Sequence, residues 1–163
     1  MYAPQQQLFV TIELTVNTVG SYLREHGVIR VEDEPDVDIL GGGASNNVFR
    51  IETGDECLVV KQPLPDLAVD DHWPADISRI HNEAAAARTY GRIIDDTHIR
   101  AGRVPTVRFK ENQDHVLAQE CVPERDSVWK EQLLSGIIDR FVPRILGRIL
   151  GAVQRETASD ANV

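Results

Sequence analysis

Lysine is nearly missing from this chain. Of its 17 cationic side chains only Lys61, Lys110 and Lys130 are lysines, and they stand against 26 carboxylates, for a net charge of −9. That deficit of positive charge excludes a nucleic-acid footprint, which needs a basic face to neutralise phosphates. An acidic, lysine-poor surface suits a salt-rich cytoplasm, and stability that rises with molar salt is the expectation. Long apolar runs are lacking too. No stretch reaches the roughly 20 residues of a membrane helix. No basic segment leads into an apolar run at the N-terminus, so no secretory leader is expected. These features point to a cytoplasmic protein with no membrane or nucleic-acid partner. Cysteine is limited to Cys57 and Cys121, which show neither CxxC nor metal-ligand spacing. Both fall in predicted strands, and two buried free thiols in a reducing compartment are expected. Internal repeats and low-complexity tracts are absent as well. At 163 residues the chain makes one domain, or one lobe of a larger one.

What is there centres on Ile39 to Lys61, ILGGGASNNVFRIETGDECLVVK. It reads as strand, glycine-rich turn, strand, short turn, strand. Gly41, Gly42 and Gly43 remove three side chains in a row, so the backbone is expected to take positive φ and bring its N–H groups close to an anion. Val48, Phe49 and Ile51 favour a strand, with Arg50 on its other side. Thr53 to Glu56 reads as a hairpin connection, and Cys57 to Val60 as a short apolar strand that ends in Lys61. No Gly-Lys-Ser/Thr follows the glycines, which excludes a Walker A loop. A glycine turn over a hairpin, with a lysine at the end of the third strand, is how a kinase-type lobe holds nucleotide phosphates.

The flanking segments supply the remaining elements. Met1 to Gln7 is polar and expected to be loose. Thr15 to His26 places Val16, Val19, Tyr22 and Leu23 on one helical face and stops at Gly27. Val31 to Asp38 carries five carboxylates and reads as a solvated acidic connection. After Lys61, Pro63, Pro65 and Pro74 mark a loop. Asp76 or Ser78 then caps an alanine-rich helix that runs to Ile94 and carries Ile80, Glu83, Ala84, Ala87, Tyr90 and Gly91. His72 and His81 have no partner at ligand spacing and read as loop or surface histidines. Thr106 to Phe109 and His115 to Cys121 form a second strand pair, broken at Pro123 to Asp126. Helices over Ser127 to Asp139 and Phe141 to Thr157 follow. In the second, Pro143 sits in the first turn and Ile145, Leu146, Ile149, Leu150 and Val153 form an apolar stripe. Ala158 to Val163 is expected to fray.

The predicted fold is therefore α+β: a kinase-like small lobe with a five-stranded antiparallel sheet and one inserted helix, plus N-terminal and C-terminal helices. Residues 1–34 form a helical extension, 35–122 the ATP-binding lobe, and 123–163 a connector and helices that lead towards a large lobe. LGGGASNNVFRI, VVKQPLP, the Trp73-Pro74 pair and RIHNEAAA resemble the small lobe of methylthioribose kinase, in the wider group of aminoglycoside phosphotransferases and choline kinases. The connector QECVPERDSVWKEQLLSGI is similar to that family in spacing. The resemblance covers Asp38 to about Arg155.

The resemblance implies ATP as the cofactor. It makes Gly41, Gly42, Gly43, Ala44, Ser45, Asn46 and Asn47 the phosphate loop. Lys61 would contact the α- and β-phosphates, and Glu83 would hold its ammonium, because a flexible lysine needs a counter-charge to keep one geometry. Backbone groups near Gln119 and Cys121 would meet the adenine edge. The family's catalytic His-Gly-Asp segment has no counterpart, since the only His-Gly is His26-Gly27, and the magnesium-binding aspartate motif is missing as well. The expectation is a truncated or split kinase lobe, inactive alone, with no catalytic or metal-binding residue of its own. Magnesium would be held only together with a complementing large lobe, and a separate large-lobe chain or self-association is the expected partner. The alternatives are a non-catalytic nucleotide-binding or protein-interaction module, and a decayed remnant without activity.

Overall fold

The computed structural model describes residues 12–41, 43–54, 56–99, 102–122 and 128–159. Their order is α1 (Val19–Glu25), β1 (Asp36–Ile39), β2 (Asn46–Glu52), β3 (Cys57–Pro63), α2 (Arg79–Asp96), β4 (Val107–Glu111), β5 (Val116–Glu120), α3 (Trp129–Leu134) and α4 (Phe141–Ser159). The strands form one antiparallel sheet in the order β1-β2-β3-β5-β4. The α+β class, the five strands and the helix inserted after the third strand are as predicted, and this is the layout of a kinase small lobe.

The chain divides into two compact units. One takes the described residues through Ala84 together with Val107–Cys121, the other Ala85–Thr106 and the described residues from Val122 onward. In the first unit, side chains alternate across the sheet. One face carries Phe49, Ile51, Leu58, Val60 and Ala118 and packs on Leu14, Val19, Tyr22, Leu23 and Ile29. Burying each large aliphatic side chain contributes about 1.5–3 kcal/mol. Gln62 is buried on that core face but satisfied: its Oε1 accepts the Leu14 N–H, and its Nε2 donates to the carbonyls of Ile12 and Asp114. The Tyr22 hydroxyl donates to Asp114 at 3.1 Å. Burial first, then the Asp114 charge, pushes its pKa up.

The opposite face presents the residues that strand register aligns with Lys61. Val48 lies across from it on β2 and Leu117 on β5, while Arg50 and Gln119 flank Val59 in the next row. On this face Ile80 and Ala84, from the first turns of α2, pack against Leu117 and Val107. In the second unit Ile93, Ile94 and Ile99 pack with Val104, Ile145, Ile149, Ala152 and Val153.

Several boundaries differ from the sequence reading. The two cysteines are not free thiols: Cys57 and Cys121 form a disulfide with Cα atoms 5.4 Å apart. They stand one step beyond the Leu58–Glu120 pair of the antiparallel β3–β5 ladder, so register brings them face to face. β1 occupies the end of the acidic connection rather than starting at Ile39, because Asp36 and Asp38 pair with Glu52 and Arg50 at a sheet edge where charge is tolerated. β3 continues past Lys61 to Pro63, since β2 begins early enough, at Asn46, to pair with it. α1 starts at Val19, after a turn in which the Thr15 carbonyl accepts from the N–H groups of Thr18 and Val19. Val16 therefore stays exposed. Gly27 closes α1 with a φ of 65°, as its position predicts.

α3 ends at Leu134, well short of Asp139, because Gly136 takes a φ of 77° and the Ile137 N–H turns back to the Gln132 carbonyl. α4 runs to Ser159, so the expected fraying at Ala158 is not seen there. Its stripe is half covered: Ile145, Ile149 and Val153 are packed, while Leu146 and Leu150 are exposed. The expectations for Met1 to Gln7, for the break at Pro123 to Asp126 and for the last residues after Ser159 lie outside the described residues. No helix among the described residues is long and apolar enough to cross a membrane.

Candidate functional site

Lys61 and Glu83 form the centre of the site. Lys61 Nζ lies 2.5 Å from Glu83 Oε1, with the side chains 25% and 38% exposed. Burial shields the pair from solvent only in part, so it orients the ammonium more than it stabilises the fold. Lys61 is held by its place in β3 between β2 and β5. Glu83 is held by the docking of α2, whose Ile80 and Ala84 are buried against Leu117.

The start of α2 is tied down by polar contacts. The Asp76 carboxylate accepts the Ser78 N–H and hydroxyl, both at 2.8 Å. Those bonds, the backbone one first, hold its carboxyl below the usual range, so it is ionised where it caps the helix. The Arg79 guanidinium donates to the carbonyls of Asp76, Ser45 and Leu64. It thus joins the helix start to the glycine turn.

The turn between β1 and β2 begins after Leu40, whose N–H donates to the Val48 carbonyl at 2.9 Å. The Ala44 carbonyl accepts from Ala68 and the Ser45 carbonyl from Leu64. Two oxygens that would repel a phosphate are thereby engaged by the β3–α2 segment. A Cβ on Gly41 or Gly43 would meet nothing within 4 Å. The positive-φ glycines among the described residues are Gly27 and Gly136, not Gly41 or Gly43. The expected left-handed backbone is therefore absent at those two, where the glycines leave space instead. Gly42 lies outside the described residues. Asn46 and Asn47 are not loop residues. They open β2 opposite Pro63 and Gln62, and Asn46 Oδ1 is buried without a hydrogen-bond partner.

Gln119 is buried on the Lys61 face, across from Val59 on β3 and Val107 on β4. The Cys121 N–H donates to the Cys57 carbonyl at 3.1 Å, so that amide is not available to a ligand while the ladder is intact. Trp73 is 63% exposed on the β3–α2 segment. Its backbone N–H and the His72 ring are both held by the Asp66 carboxylate, at 2.7 and 2.5 Å. His81 is half-buried rather than fully on the surface: its ring packs on His115, and both Nδ1 atoms are buried.

The first unit therefore brings Lys61, Glu83, Gln119 and the Asn46 end of the turn to one sheet face. Arg79 and Gln62 were not singled out from sequence. An arginine one turn before Glu83 carries no signal of its carbonyl partners, and Gln62 looks like any strand-end polar residue.

An ammonium fixed beside an open, glycine-lined turn fits the polyphosphate of ATP. A magnesium ion is another matter: among the described residues no three His, Cys, Asp or Glu side chains gather where a metal could sit.

No family model matches the chain. Curated relatives do. It is 27% identical over 143 residues to methylthioribose kinase of Bacillus cereus (strain ATCC 10987 / NRS 248), covering 86% of this chain. It is 26% identical to the enzyme of the same name from Bacillus mycoides (strain KBAB4) over 84% of the chain, and 26% identical to that of Bacillus anthracis (strain A0248) over 86%. The chain spans 34% of the length of each of these relatives. The resemblance carried by the glycine run, VVKQPLP and RIHNEAAA is thus borne out over most of the chain.

Proposed function

We propose that this chain is the nucleotide-binding lobe of an ATP-dependent small-molecule phosphotransferase of the methylthioribose kinase kind. The observation that carries the reading is the Lys61–Glu83 ion pair on the sheet face next to the glycine turn. In this role Lys61 neutralises phosphate charge, Glu83 keeps the ammonium from straying, and the turn from Gly41 to Ser45 lies over the phosphates. ATP supplies the transferable phosphoryl group. This chain's own residues bind and orient it, and the reading assigns them no chemical step. Magnesium enters only with acidic ligands contributed by a complementing large lobe, and such a lobe is the proposed partner. The acceptor is an alcohol group of a small molecule, by analogy with the relatives' name.

Calorimetric titration of the 163-residue chain with ATP tests the reading. Weak binding that is insensitive to magnesium, and lost in Lys61→Ala, is expected. No heat at millimolar ATP, or unchanged affinity in the variant, would overturn it.

A further inference from the structure

His81 and His115 take no part in the roles described above, yet they are placed with care. His81 is in the first turn of α2. His115 closes the β4–β5 turn with a φ of 54° and is only 4% exposed. Their ring centroids are 5.0 Å apart and their planes 34° from parallel. The Nδ1 atom of each ring is buried and has no hydrogen-bond partner.

Neutral imidazoles tolerate this arrangement, since each can keep its proton on Nε2 and leave Nδ1 as a bare lone pair. An imidazolium does not. Both of its nitrogens become donors, so the buried Nδ1–H would face no acceptor, and a charge would be set against the neighbouring ring. The charged groups around the pair are Asp76 ahead of α2 and Lys110 and Glu111 on β4. Asp114 stands next to His115 in the turn. The nearby carboxylates already accept other hydrogen bonds, Asp76 from Ser78, Glu111 from the Asp114 N–H and Asp114 from Tyr22, and neither buried Nδ1 is bonded to any of them. Lys110 adds repulsion.

We propose that the His81–His115 contact is an acid-sensitive latch: a proton on His81 separates the first turns of α2 from the β4–β5 turn and draws Glu83 away from Lys61. The coupling is short. His81 and Glu83 lie two residues apart on one helix, and the flanking Ile80 and Ala84 pack on Leu117, which lies across from Lys61. The turn that carries His81 therefore moves together with Glu83. The consequence for ligand grip rests on the nucleotide reading above; the latch itself does not.

The sign follows from the proton balance. Burial first, then Lys110 and the His115 ring, holds the His81 pKa below its ordinary 6.5. The unfolded or undocked chain then takes the proton more readily than the docked one. The latch is closed above the ordinary imidazole range and opens as pH falls through the lowered value.

The test is an NMR titration of the full chain from about pH 8 to about pH 5, the span in which histidines change charge. The signals followed are the His81 ring, the amides of Ile80, Glu83 and Ala84, and the Lys61 ammonium. In the wild type these should move together. In His81→Gln, and in His115→Asn, which suits the left-handed backbone, the α2 and Lys61 movements should vanish while carboxylate titrations persist. A His81 ring that titrates without Glu83 or Lys61 following, or movements that survive in both variants, would overturn the latch. ATP titrations at the two ends of the pH range judge the nucleotide reading separately. Affinity that falls several-fold with acid in the wild type and not in His81→Gln supports both ideas. Coupled shifts without ATP binding uphold the latch and overturn the nucleotide reading.

Discussion

Lys61 and Glu83, 22 residues apart in the chain, meet at 2.5 Å because β3 and the inserted helix α2 share one face of the sheet. Both side chains are partly exposed, so the pair is worth little to folding. Glu83→Gln should leave the melting temperature within a few degrees of wild type. It should weaken ATP binding roughly three- to tenfold, less than Lys61→Ala, whose loss of a charge-assisted contact costs about 1.5–3 kcal/mol. Calorimetry on both variants checks the order. A Gln variant weaker than the Ala one would mean that Glu83 contributes through α2 docking rather than through Lys61.

The chain alone should not transfer phosphate to methylthioribose, choline or an aminoglycoside. The only His-Gly pair, His26-Gly27, closes α1 and leads to Val28, so it supplies no catalytic aspartate. A radiometric assay with ATP, magnesium and each acceptor decides this. Turnover above buffer that is lost in Lys61→Ala would show that chemistry resides in this chain.

Reduction of the Cys57–Cys121 disulfide should lower stability. The bridge spans 64 positions, and closing a loop of that length in the unfolded chain is worth roughly 4 kcal/mol in the chain-entropy account. Paired Cys57→Ser and Cys121→Ser substitutions should therefore lower the denaturation midpoint by several degrees. The far-ultraviolet circular dichroism should stay the same, because the β3–β5 ladder does not depend on the bridge. An unchanged midpoint would mean that the bridge contributes little beyond the ladder.

The exposed apolar side chains of the α3–α4 region should promote association. Leu134 and Ile138 are 78% and 76% exposed, and Phe141, Leu146 and Leu150 are exposed as well. Exposed apolar patches of a few hundred Å² mark association surfaces. The net charge of −9 opposes self-association at low salt, and about 0.1 M salt screens that repulsion beyond roughly 10 Å. Light scattering should therefore show mass rising with ionic strength. Leu134→Ser with Ile138→Ser should restore the monomer. A monomer at every salt concentration would mean that this surface does not self-associate.

Local chemistry alone made a good part of this protein legible. Alternating β-prone residues, the Thr53 to Glu56 connection and the alanine-rich run after Asp76 determined the strands, the hairpin and the inserted helix. Gly27 determined where α1 stops. These are short-range effects: turn residues, capping and side-chain periodicity act within a few positions of one another. The identity of Lys61 and Glu83 as partners was legible only through resemblance to a known family, since nothing within 22 positions couples them.

What the tertiary structure decided was register. Only the pairing of β3 with β5 sets Cys57 against Cys121, turning two apparent thiols into a bridge. Only the pairing of β2 with β3 draws Asn46, Asn47 and Pro63 into strands. The docking of α2 places His81 on His115, two rings whose sequence spacing carries no hint of contact. In each case hydrogen bonds and packing between paired segments outweigh the preference of the single residue, and residue-by-residue patterning does not contain them.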